Sequence, residues 1–239
     1  METHMSDLAS VQPNEGKRLE IEVAGSTYAR YPLRTPLVND GDDVVAVVRD
    51  AVAPHLAAGD LIVVSEKIVA IAQGRAFPVA EIRPSVWARW LSRFVSRPSW
   101  GIGLGSAATM ELAIREAGLL RIVAAGALGF VPRLLGIKGL FYILAGNSVN
   151  AIDGPTPNTI PPYNSYAKLP PKDPAGVAAT ISRALSGAQV AIIDANDIGQ
   201  RVLGASSGVD RKFVEKLFAD NPLGQGREQT PIAIVRPRS

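Results

Sequence analysis

The chain has 239 residues, enough for one large domain or two small ones, and its 47% hydrophobic and 20% charged residues suit a globular protein with a sizeable core. A net charge of +3, scattered arginines and few aromatics supply neither a basic stripe nor a stacking platform, which argues against a nucleic-acid partner. There is no cysteine, and His4 and His55 are the only histidines, so thiolate sites, disulfides, a His-based zinc centre and a Ser-His-Asp triad are not expected.

Residues 1–18 are read as a disordered or appended start without a signal peptide, and residues 19–239 as one domain with two lobes divided near residue 147. LEIEVAGSTYARYPLRTPL alternates and predicts edge strands. NDGDDVVAVVRDAV opens on an Asp-rich cap and sets Val44, Val47, Val48, Ala51 and Val52 on one helical face. GDLIVVSEKIVAIAQGR reads as a short buried strand, Leu61 to Val64, running without a turn residue into a helix through Ser65, Glu66 and Lys67. Pro84-Ser85 starts a helix whose Trp87, Trp90, Leu91 and Phe94 share a stripe. That spacing is taken as packing, with Trp90 and Trp100 as the alternative border of a pocket.

SAATMELAIREAGLL predicts a further helix, with Gly118 as its C-cap. Residues 122–146 are long enough for a membrane span, but Pro132, Arg133 and Lys138 interrupt them. They are read as two or three buried strands of a soluble, cytoplasmic protein with no membrane partner. Residues 147–173 are rich in proline, asparagine, serine and threonine and read as a functional loop. A helix from PAGVAATISRALSG, a buried strand from AQVAIIDA, a helix from GVDRKFVEKLFAD and a last strand before the C-terminus complete a mixed α/β (α+β) pattern.

Four clusters of polar residues fall where strands hand over to loops: Ser65-Glu66-Lys67; Asn147, Asn150 and Asp153; Asp194, Asn196 and Asp197; and Gly224 to Gln229. Carboxylates and amides at strand ends are the ligand set of a hard divalent cation, and a lysine beside them suits a phosphate. The structural alternative makes the Asp and Asn residues caps and turns, and pairs Lys67 with Glu66 or Asp60. No Walker P-loop or G-x-G-x-x-G fingerprint is present in the required context.

GDDVVAVV, GDLIVVSEKIVAIAQGR, PSVWAR, KLPPKDPAGVAATISRAL and VAIIDANDIG, in that order, resemble the coenzyme F420-0:gamma-glutamyl ligase family from about Thr35 to Gly199. The resemblance implies a two-lobed mixed-sheet fold and a homodimer. It implies an amide ligase that uses GTP with Mg²⁺ or Mn²⁺ and joins a carboxylic acid to an amino acid, L-glutamate in the family, through an acyl phosphate. By that resemblance Lys67 is catalytic and sits with Ser65 and Asn147 at the nucleotide, while Asp153 and Asp194, Asn196 or Asp197 hold metal. The loop NSVNAIDGPT and the strand end DANDIGQR depart from the family pattern. The segment 203–229 reads as an addition or a replacement, whose Gln225, Glu228 and Gln229 are candidate substrate contacts, so that the acid need not be F420-0. The alternative is a non-catalytic nucleotide- or ligand-binding member of the same fold.

Overall fold

The structure is a computed structural model describing residues 8–95, 103–134, 140–196, 199–224 and 226–238. In chain order it contains β1 (Glu20–Val23), β2 (Ser26–Leu33), α1 (Val44–Val52), β3 (Leu61–Ser65), α2 (Glu66–Ala72), β4 (Ala76–Pro78), α3 (Val86–Leu91), α4 (Ala107–Ala117) and α5 (Leu119–Leu134). These are followed by α6 (Leu140–Ala145), α7 (Asn147–Asn150), β5 (Tyr166–Lys168), α8 (Pro174–Ala184), β6 (Gln189–Asn196), β7 (Gly199–Ala205), α9 (Arg211–Leu217) and β8 (Ile232–Arg238). Two compact units result: unit 1 is residues 1–73 with 171–239, and unit 2 is residues 74–170.

Unit 1 is built on a six-stranded mixed sheet in the order β1-β2-β8-β3-β6-β7, in which β3 and β6 run parallel and every other neighbouring pair is antiparallel. A parallel pair needs a long crossover, and unit 2 is inserted in the chain within that crossover, between α2 and α8. The unbroken apolar run of β3 follows from its cover. Leu61 and Val63 join Ala191, Ile193, Val202 and the α9 residues Val214 and Leu217 in one core. Ile62 and Val64 face the other way and are equally buried.

The second face is closed by α8. Gly204 of β7 lies opposite Ile192, and a Cβ placed on it would meet the backbone of Pro174 and Ala175 at 2.3 Å. Only glycine lets the first turn of α8 come this close. Asp43 caps α1 through the N–H groups of Val45 and Ala46, as the Asp-rich opening suggests, and Asp210 caps α9 likewise.

The fully buried Arg30 fastens β2 to the end of α9. Its guanidinium pairs with Asp220 and donates to the Leu217 and Arg18 carbonyls at 2.8 Å. Burial pushes the Asp220 carboxyl up, but the Arg30 hydrogen bond and charge outweigh it and leave the group below the usual aspartate range. The start of the chain is held to the same region, where Asn14 donates to the Pro222 carbonyl and the Thr230 hydroxyl at 2.8 Å.

Unit 2 is mostly helical, with a two-stranded β4-β5 sheet. Its core gathers Leu104, Met110, Leu112, Ile122, Val149 and Leu169, among others. Gly118 ends α4 at φ 84°, as its C-cap reading anticipates.

Two expectations fail in unit 2. The described parts of the stretch at 122–146 are helical, in α5 and α6, and not strands. Ile122 and Ala125 supply the buried side of α5, but Leu120, Val123 and Leu128 are apolar on the exposed side. Apolar residues on both sides erase the 3.6-residue signal that separates helix from strand. The aromatic stripe is not buried packing: Trp87 is 53%, Trp90 49% and Phe94 61% exposed. Trp100 lies outside the described residues. Among the described residues no helix is long and apolar enough to cross a membrane.

Candidate active site

Unit 1 collects polar residues at one end of its sheet because of strand direction. Parallel β3 and β6 are level at Ser65 and Ile193, so the chain turns out of the sheet through Ser65-Glu66-Lys67 at the end where β6 runs on through Asp194-Ala195-Asn196. β8 is antiparallel to both β2 and β3, so the segment leading into β8 arrives at that end too. The Ser65 N–H donates to the Pro231 carbonyl at 2.7 Å, and the Thr35 N–H, just past β2, donates to the Gln229 carbonyl at 3.1 Å. The carboxyl ends of parallel strands, unlike their middles, are where an α/β sheet can present side chains to a ligand.

The residues play separate parts there. The half-buried Ser65 caps α2, its hydroxyl accepting from the Lys67 N–H at 3.3 Å. Glu66 is turned inward and buried, while Lys67 is half-buried one position on. Asp60, an alternative partner for Lys67, is committed elsewhere. At the opposite end of β3, the Arg236 guanidinium grips its carboxylate through two 2.7 Å hydrogen bonds, and the Ala57 N–H donates to the same carboxylate at 2.8 Å. The Asp60 hydrogen bond, working against burial, raises the already high pKa of Arg236. A surface pairing of Lys67 with Asp60 is therefore ruled out.

Asp194 and Asn196 lie in the part of β6 that outruns β3 and pairs only with β7. The Asn196 side-chain carbonyl accepts from the Gly199 N–H at 3.0 Å, and Asp194 sits opposite Arg201. Their chemistry suits a magnesium-type ion held by one or two carboxylates and completed by phosphate oxygens and water. Among the described residues no group of three or more His, Asp or Glu side chains could hold a metal ion. Asp197 lies outside the described residues.

Glu228 folds back over its own loop. A Cβ on Gly224 (φ +75°) would fall 2.7 Å from its carboxyl carbon, and one on Gly226 would fall 3.1 Å from a carboxyl oxygen. The loop is thus shaped around a half-buried carboxylate, followed by Gln229 with its backbone at φ 55°. Gln225 lies outside the described residues.

Asn147 and Asp153 belong to unit 2. Asn147 begins α7, and its side chain lies outside the described part. Asp153 and Lys168 exchange backbone hydrogen bonds of 3.0 and 2.9 Å, and the Lys168 ammonium lies 3.2 Å from the Asp153 carboxylate. Lys168 is only 5% exposed. A lysine that deep needs a counter-charge, and Asp153 provides it. Sequence reasoning missed Lys168, although it stands in the quoted KLPP motif, because the register that pairs it with Asp153 is long-range.

Residues 32–203 match the model of the family described as F420-0:Gamma-glutamyl ligase. The matched span is well over half of the chain and contains β3, all of unit 2, α8 and β6, but not α9, the 224–229 loop or β8. No curated protein matches the chain.

Proposed function

The chain belongs to the F420-0:gamma-glutamyl ligase family, and from that premise we propose that it is a GTP- and divalent-metal-dependent ligase that forms an amide through an acyl phosphate. The observation that carries the reading is the shared end of β3 and β6. There Lys67, at a strand-to-helix junction within the family match, follows Ser65, which is level with Ile193, and β6 continues from Ile193 to Asp194 and Asn196.

In the proposed reaction an oxygen of the substrate carboxylate bonds to the γ-phosphorus of GTP as the bond to the β-γ bridging oxygen breaks, leaving acyl phosphate and GDP. The amino-acid nitrogen then attacks the acyl carbon, inorganic phosphate departs, and the nitrogen loses a proton. Lys67 holds a positive charge beside the transferring phosphoryl group, where its preorganisation favours the transition state. Ser65 fixes the turn that aims Lys67. Asp194 and Asn196, with Asp197, would hold Mg²⁺ or Mn²⁺, which supplies Lewis-acid neutralisation of the phosphates. In unit 2, Asp153 is assigned to metal and Asn147 to nucleotide on the family pattern. Glu228, Gln229 and Gln225, outside the family match, are assigned to the acid or the amine. L-Glutamate as amine, a homodimer and a cytoplasmic setting complete the proposal.

A second reading rests on one observation: residues 204–239, with the 224–229 loop, lie outside the family match. A remodelled acceptor site would leave a nucleotide-binding protein without turnover. Phosphate release from GTP, measured with Mg²⁺ or Mn²⁺ and a panel of acids and amines, separates the two. The ligase releases phosphate only when acid and amine are both present. Binding of GDP with metal but no release under any pairing would replace the ligase reading with the second one.

A further inference from the structure

We propose that unit 2 docks onto the surface of an anionic lipid bilayer through the aromatic ladder of α3 and the turn that follows it. This goes beyond the ligase reading and revises the expectation that no membrane is involved. Trp87, Trp90 and Phe94 stack edge to face along one side of the segment, with ring centroids 6.3 and 4.9 Å apart. All three rings are about half exposed or more, and Val86 beside them is 78% exposed. Arg83, Arg89 and Arg93 are exposed around the ladder, and among the described residues no carboxylate forms an ion pair with any of them. Exposed Trp and Phe flanked by arginine is the composition of a segment that lies in a membrane interface: rings enter the headgroup–acyl boundary while guanidinium groups meet lipid phosphates.

The charge of the whole region supports this occupant. From Ile82 to Ile152 the sequence has seven arginines and one lysine but only two acidic residues, Glu111 and Glu116. Both are paired within the unit, Glu111 with Arg115 at 3.1 Å and Glu116 with Arg75 at 2.9 Å. Glu111 also accepts from the Ser85 N–H at 2.9 Å; although burial raises its pKa, its hydrogen bonds to Ser85 and Arg115 and the Arg115 charge lower it overall, and it stays ionised. Glu81, just ahead of the stretch, is exposed. A second copy seated symmetrically on this face would set arginine against arginine. A nucleic acid could stack on the rings but offers nothing to the aliphatic side chain beside them, Val86, which is 78% exposed. A bilayer satisfies both the cations and the hydrocarbon.

The test is co-flotation of the full chain with phosphatidylcholine vesicles, with and without phosphatidylglycerol, alongside tryptophan emission. Binding to the anionic vesicles, weakened by salt and accompanied by a blue shift, is expected. Arg89→Gln with Arg93→Gln keeps the rings and is expected to lower the partition by about fivefold per arginine removed. Trp87→Ser with Trp90→Ser removes the anchor and is expected to abolish binding; because both rings are already exposed, circular dichroism is expected to be unchanged. Failure of the wild type to bind anionic vesicles overturns the proposal, as does equal binding by the Trp variant. A fall in solution mass of the Trp variant without lipid would assign the face to a second copy. Loss in that variant of wild-type binding to a single-stranded oligonucleotide would assign it to nucleic acid.

Discussion

Unit 1 and unit 2 draw on the same apolar residue types, yet among the described residues the large hydrophobic side chains that stand exposed, from Val86 through Ile143, all belong to unit 2. Unit 1 wraps both faces of its sheet, so that Ile62, Val63, Val64, Ile192 and Ile193 have no solvent exposure. The difference is one of geometry. A central strand presents two faces and both must be covered, which forces α8 and α9 onto opposite sides. Among the described side chains of α5, Ile122 and Ala125 face the core, and nothing in the folding of the helix itself disposes of Leu120 or Leu128. Unit 1 is therefore suited to hold charges at fixed positions on a sheet end, and unit 2 to meet another apolar phase.

The largest effect that would break this contrast is at Lys67. Lys67→Met keeps most of the stem and deletes the charge, and it is expected to cost GTP binding or turnover roughly 2–4 kcal/mol. The melting temperature is expected to hold. Lys212→Met, an exposed lysine on α9, is the control of equal charge change. Calorimetry with GTP and with guanosine checks the assignment, since only the triphosphate carries the charge being read. Equal GTP affinity in the two variants would take Lys67 out of the site.

Gly204 tests whether unit 1 is as tightly closed as its burial indicates. With Pro174 and Ala175 backbone 2.3 Å from the added methyl, Gly204→Ala has no flexible side chain to displace. It is expected to cost roughly 1–3 kcal/mol of unfolding free energy through overpacking. Denaturant titration measures this, and a neutral outcome would mean that α8 rides loosely on β7.

What could be read in the sequence divides along the same line. The run Leu61 to Val64, the cap at Asp43 and the hand-over at Ser65 are local signals, and buried strands and capped helices advertise themselves locally. That β8 would lie between β2 and β3, bringing Gln229 to the end of the sheet, depends on pairing across some 170–210 residues, which no local pattern encodes. β7 was not anticipated either, because Gly199, Gly204 and Arg201 dilute its alternation. In unit 2 the spacing of Trp87, Trp90 and Phe94 places them on one helix side but says nothing of whether that side is covered. α5 and α6 were misread because exposure of leucine removes the polar half of the pattern.

Asp153→Asn gives a smaller effect and decides between two roles for one carboxylate in unit 2. As the partner of buried Lys168 its loss costs stability, discounted to about 1 kcal/mol or less because Asp153 is itself 56% exposed. As a metal ligand its loss weakens nucleotide binding in Mg²⁺ while leaving binding in chelator unchanged. Thermal melts and calorimetry on the same variant read both. A stability loss with unaltered metal dependence would make Asp153 a structural counter-ion and remove it from the proposed metal set.

The smallest expected effect is at Leu120, and its smallness is the point. At 86% exposure the side chain contributes almost no burial, so Leu120→Ser is expected to change unfolding free energy by no more than about 0.5 kcal/mol. The substitution also places serine, a weaker helix former than leucine, one position inside α5, which sets a cost of a few tenths of a kcal/mol at most. Denaturant melts at two protein concentrations separate the cases. A loss well above that range that grows with protein concentration would mean that the apolar side of α5 is covered by another copy in solution. Unit 2 would then bury its apolar surface as completely as unit 1 does, by assembly in place of folding, and the contrast between the units would describe the single chain alone.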